Sequence, residues 1–314
     1  MKIVTSGSSY LDIDAYACCI AYTELQNSLG IPTVAVSSAP LNYSISDSIL
    51  SFEQKILNPK SLIIDRESEF IVMDVSDPRF FDPIVDIERI THIYDHHVGF
   101  EDMWHEKLGD DAKIEFIGCA ATLIYEEWEK AGMLSKMTPE TAMILTAAIL
   151  DNTLNFLAKV TTSRDIRAKD RLCVLAGISQ DWCEAYFKEC QEAVERDLIS
   201  SIRKDAKTDC NVFGLPKAIG QIVVWDAKML LLKRGDIYTA LNALASCWVL
   251  NIVCLGTRRG YFLCNEKGSQ RKLQTIFDIE FEGDIAITKK PVLRKEIIKM
   301  ALEHENRLYK EDLK

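Results

Sequence analysis

The stretch Lys2-Ile-Val-Thr-Ser-Gly-Ser-Ser-Tyr-Leu-Asp-Ile-Asp-Ala-Tyr16 runs from an apolar segment into a Ser/Gly turn. Two aspartates, one residue apart, then open a helical pattern. A short apolar run bounded by a turn reads as a buried strand, and the residues after Asp14 read as a helix. Strand, turn and helix in that order form the first half of a βαβ unit. At the junction, Asp12 and Asp14 admit two readings: helix caps, or half of a metal site.

Working outward, the same alternation recurs. Strands are expected at Lys2–Thr5, Thr33–Ser37, Phe70–Val75, Ile90–Tyr94 and Ile114–Ile117. Helices are expected over Asp14–Ser28, Ala120–Ala131, Pro139–Leu150 and Ser163–Ala176. Thr138-Pro139-Glu140 places an N-cap before a proline at the first helical position. Strands alternating with helices predict an α/β fold with a doubly wound, mostly parallel sheet, whose ligands sit outside the carboxyl ends of the strands. A long polar helix over Ser179–Lys204 is expected to lead into a smaller α/β domain. That region has apolar runs at Ile219–Val224, Trp248–Leu255 and Tyr261–Cys264, with helices near Asp236–Ala245 and Arg294–Glu305. The expected domains are therefore residues 1–195 and 200–314.

A chain of 314 residues suffices for two ordinary domains, and 48% hydrophobic with 27% charged residues is a soluble globular composition. No apolar run reaches membrane-spanning length, and the N-terminus lacks a basic-then-apolar leader. The ten cysteines show no C-x-x-C pairing, so reduced thiols in a cytoplasmic protein are expected. The net charge of −10 is unevenly spread: residues 1–199 hold 17 Lys/Arg against 33 Asp/Glu, and residues 200–314 hold 20 against 14. An acidic half suits cations and a basic half suits anions. With no long basic stripe, a stable nucleic-acid complex is not expected.

The acidic residues at strand ends carry the chemistry. Asp12 and Asp14 follow the first strand; Asp74 closes Phe70-Ile-Val-Met-Asp74, with Asp77 just after. Asp95-His96-His97 follows the fourth strand, and Asp151 ends the apolar run Met143–Leu150. One such carboxylate is usually a turn or helix cap. Several converging on one sheet edge repel one another unless cations lie between them. The histidine pair adds nitrogen donors, and a carboxylate/imidazole set without thiolate suits Mn²⁺, Mg²⁺, Co²⁺ or Fe²⁺. Two such ions, about 3.5–4 Å apart and sharing one carboxylate, activate water and clamp both oxygens of an in-line displacement at phosphorus. Phosphate-ester or phosphoanhydride hydrolysis is the reaction this predicts.

Tyr94-Asp-His-His-Val-Gly-Phe100 resembles the defining motif of the DHH phosphoesterase superfamily. Asp12-Ile-Asp-Ala15 resembles its D-x-D-[AS] motif, and Val72-Met-Asp74 its second motif. Gly118-Cys-Ala-Ala-Thr122 is similar to the small-residue turn after the histidines, and Ile149–Phe156, running on to Thr161-Thr162, to the last metal motif. The resemblance implies one metal on Asp12 and Asp74, and a second on Asp14, Asp74, His96 and Asp151, with Asp74 bridging. Two divalent ions, Mn²⁺ or Mg²⁺, are the implied cofactors. His97 would meet the substrate, binding a phosphoryl oxygen or protonating the leaving group. His92 reads as a core or supporting residue, and His105 and His304 as surface residues.

The second half selects the branch. The G-G-G-H signature of the superfamily's exonucleases and dinucleotide phosphodiesterases is absent, and the nearest stretch, Gly256-Thr-Arg-Arg-Gly260, has no histidine. Ile287-Thr-Lys-Lys-Pro-Val-Leu-Arg-Lys295 is similar to the S-R-K-K-x-x-x-P stretch of family II inorganic pyrophosphatases and related exopolyphosphatases. Asp205-Ala-Lys207 resembles their D-x-K segment, and Gly220-Gln221 their G-x-x-Q opening. By this resemblance Lys207, Lys289 and Lys290 bind substrate phosphate. Three departures stand out. Ser8 and Leu11 replace the histidine and proline of G-H-x-x-P-D-x-D-S; Thr288 and Lys289 replace Ser and Arg; Asn152 is inserted after Asp151. Loss of a nitrogen ligand is expected to shift preference from Mn²⁺ toward Mg²⁺.

The expected function is metal-dependent hydrolysis of pyrophosphate or short polyphosphate, with Asp74 and His97 central to catalysis. Such relatives often dimerise through the first domain, so a homodimer is one expected assembly. A phosphodiesterase on dinucleotides or short oligonucleotides stays open, with Trp225, Trp248, Tyr261 and Phe262 as stacking rings or core. So does a non-catalytic phosphate or nucleotide sensor.

Overall fold

The protein was examined as a computed structural model, which describes residues 1–53, 56–179, 181–208 and 210–312, without the side chains of 306–312. The chain divides into two compact units, Met1–Tyr186 and Phe187–Lys314.

In chain order, the first unit contains β1 (Lys2–Thr5), α1 (Ile13–Ser28), β2 (Thr33–Ala35), α2 (Asp47–Leu50), β3 (Glu69–Met73), β4 (Ile90–Asp95), α3 (Glu101–Leu108), β5 (Ala112–Ile114), α4 (Ala120–Lys130), α5 (Pro139–Asn152) and α6 (Ser163–Ala176). Its five strands run in the order β2-β1-β3-β4-β5, all parallel. A parallel sheet is covered on both faces, so its central strands are apolar on both sides. Accordingly Ile3, Val4 and every residue of Phe70–Met73 are fully buried. β1 pairs with β2 on one side and β3 on the other, so the winding reverses there, and a crevice opens past the carboxyl ends of β1 and β3. Asp12 and Asp74 follow those two strands.

The helix starts are written in the sequence. Thr138 caps α5 ahead of Pro139, and Thr162 and Asp165 form a reciprocal capping box on α6. Asp165 is fully buried and also takes Gly118 N–H at 3.2 Å and the Thr122 hydroxyl at 2.7 Å. It thereby pins the turn before α4 to the start of α6.

α7 (Asp181–Arg196) spans the unit boundary. The second unit continues with α8 (Leu198–Asp205), β6 (Ala218–Val224), α9 (Lys228–Leu232), α10 (Arg234–Asn242), β7 (Trp248–Cys254), β8 (Arg259–Cys264), α11 (Lys267–Phe277), β9 (Phe281–Glu282), β10 (Ile285–Thr288) and α12 (Arg294–Asp312). Its sheet order is β6-β7-β8-β10-β9, with β6 and β7 parallel and the remaining pairs antiparallel. Val249, Phe262, Leu273 and Ile297 centre its core. Trp248 and Phe262 are fully buried, which removes them as base-stacking surfaces. Among the described residues no helix is long and apolar enough to cross a membrane.

One helix expectation fails. The stretch read as one helix over Ser179–Lys204 is two, broken at Asp197, whose backbone leaves the helical region and whose side chain caps α8 by accepting Ser200 N–H at 3.1 Å. Gln180, inside that stretch, lies outside the described residues. Asp favours N-caps over helix interiors, but with no proline or glycine beside Asp197 the polar pattern runs on unbroken and hides the break.

A Cβ on Gly118 would lie 2.7 Å from both Asp165 Oδ2 and Thr153 Cγ2. Both neighbours are buried and fixed, so Gly118→Ala should destabilise the first unit by about 1–3 kcal/mol. Urea denaturation would register this as a lower midpoint; an unchanged midpoint would show that the turn relaxes freely.

Candidate metal centre

β1 delivers the chain into a tightly held loop. The Ser6 hydroxyl donates to Met73 carbonyl at 2.6 Å, tying the ends of β1 and β3 together. At the position where the family pattern has histidine, Ser8 N–H donates to the Phe80 carbonyl at 2.8 Å and the Ser8 hydroxyl to the same oxygen at 3.3 Å.

Asp12 is the N-cap of α1, its Oδ1 taking Asp14 N–H at 3.1 Å and Ala15 N–H at 3.0 Å. The cap reading is therefore realised for Asp12, and one oxygen is committed to it. Asp14 is fully buried. Its carboxylate takes Ala120 N–H at 3.0 Å and Ala121 N–H at 2.8 Å, and the Cys18 thiol lies 3.4 Å away. Cys119, the N-cap of α4, makes no side-chain cap bond, so a carboxylate from α1 satisfies the amides at the start of α4. Burial first, and the neighbouring Asp12 second, push the Asp14 pKa up to about 6.

Asp74 follows β3 with φ at 56°, a left-handed backbone that aspartate tolerates better than most residues, and its N–H donates to Tyr94 carbonyl at 2.7 Å. β4 ends in Asp95, which is fully buried. Its Oδ1 takes His96 N–H at 2.7 Å and His97 N–H at 3.0 Å, and lies 2.9 Å from His97 Nδ1. Asp95 Oδ2 is buried and has no hydrogen-bond partner among the described residues.

His96 Nδ1 lies 3.2 Å from the Ile117 carbonyl. A carbonyl only accepts, so the proton belongs on Nδ1 and the Nε2 lone pair points the other way. That Nε2 lies 3.4 Å from Asp74 Oδ1 and 3.8 Å from Asp14 Oδ2. A lone pair facing two carboxylates is repulsive until a cation or proton enters. This is the arrangement of a metal-ligating histidine with its second nitrogen anchored. His97, half-exposed, brings Nδ1 to 3.8 Å from Asp74 Oδ1.

The potential ligand atoms of Asp74, His96 and His97 lie within 4.8 Å of one another. Asp14 touches that group through His96. The group contains neither Asp12 nor Asp151; Asp151 sits half-buried in the last turn of α5. The inserted Asn152 is the last residue of α5, and a left-handed turn over Leu154, Asn155 and Phe156 follows it. With the carboxylates of Asp14 and Asp74, an oriented imidazole, and the nearby Cys18 thiol occupied as a donor to Asp14, the donor set fits divalent Mn²⁺ or Mg²⁺.

The other expected residues lie elsewhere. His92 is half-buried, with Nδ1 3.0 Å from the Thr91 hydroxyl; His105 Nδ1 is 3.1 Å from Gly109 carbonyl at the end of α3. In the second unit, exposed Lys207 bridges by its backbone to Ile219 of β6. Exposed Lys289 and Lys290 follow β10, three strand positions away in the sheet. Sequence reasoning passed over Asp95 as a ligand-positioning residue, although it stands inside the Asp-His-His motif.

No family model matches the chain. It is 24% identical over 312 residues to a Bacillus pumilus protein assigned as a manganese-dependent inorganic pyrophosphatase, covering 96% of this chain and 98% of that one. A Staphylococcus carnosus protein of the same assignment is 24% identical over 238 residues, covering 74% of this chain and 75% of its own. Among solved structures, a Methanococcus jannaschii protein assigned to the family II inorganic pyrophosphatases superposes with a TM-score of 0.67 at 20% identity, covering 96% of this chain and 98% of that one. The resemblance to the family II pyrophosphatases of the DHH superfamily holds along the whole chain. An exopolyphosphatase-related protein of Bacteroides fragilis shares the fold at a TM-score of 0.52 and 14% identity, covering 98% and 93%.

Metal binding should be readable without turnover. Millimolar Mn²⁺ is expected to raise the melting temperature of the wild type and leave Asp74→Ala unmoved. Because the Asp14 carboxyl must lose its proton before it faces a cation, Mn²⁺ affinity by calorimetry should fall steadily as pH drops below about 6. An affinity that is flat from pH 7 to 5 would remove Asp14 from the site.

Proposed function

We propose that the protein hydrolyses phosphoanhydride bonds in inorganic pyrophosphate or short polyphosphate. The observation that supports this most directly is the tight Asp74–His96–His97 group beside Asp14, at the point where the sheet winding reverses. The whole-length similarity to proteins assigned as manganese-dependent pyrophosphatases supports the same class of reaction. A small phosphate compound is the substrate, and hydrolase chemistry at phosphorus is the activity.

On this reading Asp12, Asp14, Asp74, His96 and Asp151 would hold two divalent cations, Asp74 serving both. Cations bound there supply charge neutralisation at the phosphoryl oxygens and a nucleophilic water at neutral pH. The chain's own residues do the rest. His96 is fixed in the Nδ1–H tautomer by the Ile117 carbonyl. Asp95 takes the Nδ1 proton of His97 and turns its Nε2 outward, where a protonated imidazole donates to a phosphoryl oxygen or to the leaving phosphate. Lys207, Lys289 and Lys290 bind the outer phosphate oxygens as point charges rather than as a guanidinium fork. A homodimer through the first unit remains part of this reading.

Orthophosphate release should be assayed from pyrophosphate, tripolyphosphate and long-chain polyphosphate, and mononucleotide release from a linear dinucleotide, each with Mn²⁺ or Mg²⁺. Anhydride cleavage is expected, and Asp74→Ala should lower it by about three orders of magnitude. Cleavage of the dinucleotide alone would overturn the reading in favour of a phosphodiesterase. Phosphate binding without any turnover would make the protein a sensor.

Ser8 generates a separate expectation. Its backbone bond to Phe80 does not depend on the side chain, so Ser8→His keeps the loop and restores a nitrogen donor. The variant should gain Mn²⁺-supported turnover relative to Mg²⁺ by about tenfold. An unchanged metal ratio at saturation would show that position 8 does not face a metal.

A further inference from the structure

The stretch Gly256-Thr-Arg-Arg-Gly260 serves none of the roles above, yet it forms the tight connection between β7 and β8. Arg258 and Arg259 are both exposed there. Arg258 adopts φ 55°, a left-handed conformation that glycine or asparagine fits better than arginine. A long cation is held at a position where backbone preference argues for a small residue.

The register of the sheet decides what lies beside it. Gly260 of β8 pairs with Thr288, the last residue of β10, on the strand next to it. The buried Thr288 hydroxyl takes Gly260 N–H at 2.9 Å and donates to Lys290 carbonyl at 2.6 Å. One hydroxyl thus fastens the Lys289-Lys290 turn to the base of the arginine hairpin. Gly260 leaves room for it, since a Cβ there would lie 2.6 Å from Thr288 Oγ1. Arg258, Arg259, Lys289 and Lys290 are therefore each within two residues of a single fixed atom, on adjacent strands about 4.8 Å apart.

Four like charges on one edge repel unless anions share the surface. Among the described residues, Lys289 meets Asp278 at 3.4 Å, both side chains being largely exposed, and no carboxylate pairs with Arg258, Arg259 or Lys290. Two further exposed acids lie toward this edge: Asp226 past the end of β6, whose side chain accepts Lys228 N–H at 2.9 Å, and Glu280 just before β9. The row is wider than one phosphate group, and the rings beside it, Trp225 against Gly256 and Tyr261 next to Gly260, are half-buried. A flexible chain carrying one negative charge at each unit matches this surface better than a lone phosphate.

We infer that the edge formed by Arg258, Arg259, Lys289 and Lys290 is a binding site for the extended part of an inorganic polyphosphate chain. The inference deepens the proposed anhydride hydrolysis and rests on it for the identity of the anion. The site itself lies within the second unit and needs no metal.

The test is fluorescence anisotropy of labelled long-chain polyphosphate with the full chain in EDTA, at several KCl concentrations. Wild type should bind with an affinity that falls steeply with salt. Arg258→Ala/Arg259→Ala should weaken binding by about tenfold or more and lower the log–log salt slope by about 1–2. Arg258→Lys/Arg259→Lys should restore most of it, and an unchanged melting temperature in both variants secures their fold. Equal binding by wild type and the double alanine variant would overturn the inference. So would pyrophosphate competing as well as polyphosphate per molecule, or a single-stranded DNA of equal charge competing as well as polyphosphate. Polyphosphate binding in a protein that hydrolyses no anhydride would sink the proposed function and leave this site standing. Pyrophosphate hydrolysis without polyphosphate binding would do the reverse.

Discussion

A fully buried carboxylate has to be answered by donors or by cations, and Asp14 is answered only in part by donors. It reaches from α1 to the first amides of α4 and joins two elements distant in sequence. Asp165 supplies an instructive contrast. It is equally buried, and takes Gly118 N–H, Thr162 N–H and the hydroxyls of Thr122 and Thr162. Asp165 is thus saturated by four donors and holds the turn from one side. Asp14 holds it from the other, keeps an oxygen turned toward His96, and has its proton affinity raised by burial. Two carboxylates bracket one small-residue turn: the first is structural, and the second has capacity left for a cation.

That bracket makes the rest of the centre follow. The turn at 117–121 supplies the Ile117 carbonyl that sets the His96 tautomer, so the helix start and the imidazole orientation share one support. Asp95 performs the same service for His97 while closing the backbone of its own motif. The two imidazoles are thereby held by groups on neighbouring segments, which is how a site built on loops keeps its geometry. The weaker point is the insertion after Asp151. Its left-handed turn at Leu154–Phe156 places three non-glycine residues in a costly conformation directly after a proposed ligand.

The sequence exposes what depends on apolar runs and local caps. The strands β1 to β4 were legible as apolar segments, and the starts of α5 and α6 because Thr-Pro and Thr-x-x-Asp are local signals; β5 is Ala112–Ile114 rather than Ile114–Ile117, because a half-buried Ala-Lys-Ile edge strand carries no apolar run. α3 escaped notice because Phe100 gives it no side-chain cap and its eight residues are largely polar. β9 escaped because a strand of two residues has no measurable period, and β10 because only alternate residues are buried and it runs straight into Lys289-Lys290. In the site, the residue types and their order were legible, but the division of labour was not. Nothing in Asp12-Ile-Asp14 says which aspartate caps its own helix and which caps another; that depends on α4 arriving from 106 residues away.

The same reasoning bears on Ser8. In the proposed assignment the Asp14–Asp74–His96 side of the centre contains an imidazole, while the Asp12–Asp74 side has lost one and offers oxygens alone. Phe80 is bonded to Ser8 through both backbone and hydroxyl, so the smaller side chain is tied down by protein. Hard oxygen donors tolerate Mg²⁺, and the mixed side favours Mn²⁺. A single substitution at the mouth of the first βα unit therefore makes the two halves of the centre chemically unlike. It does so without altering the strand order or the helix caps that assemble them.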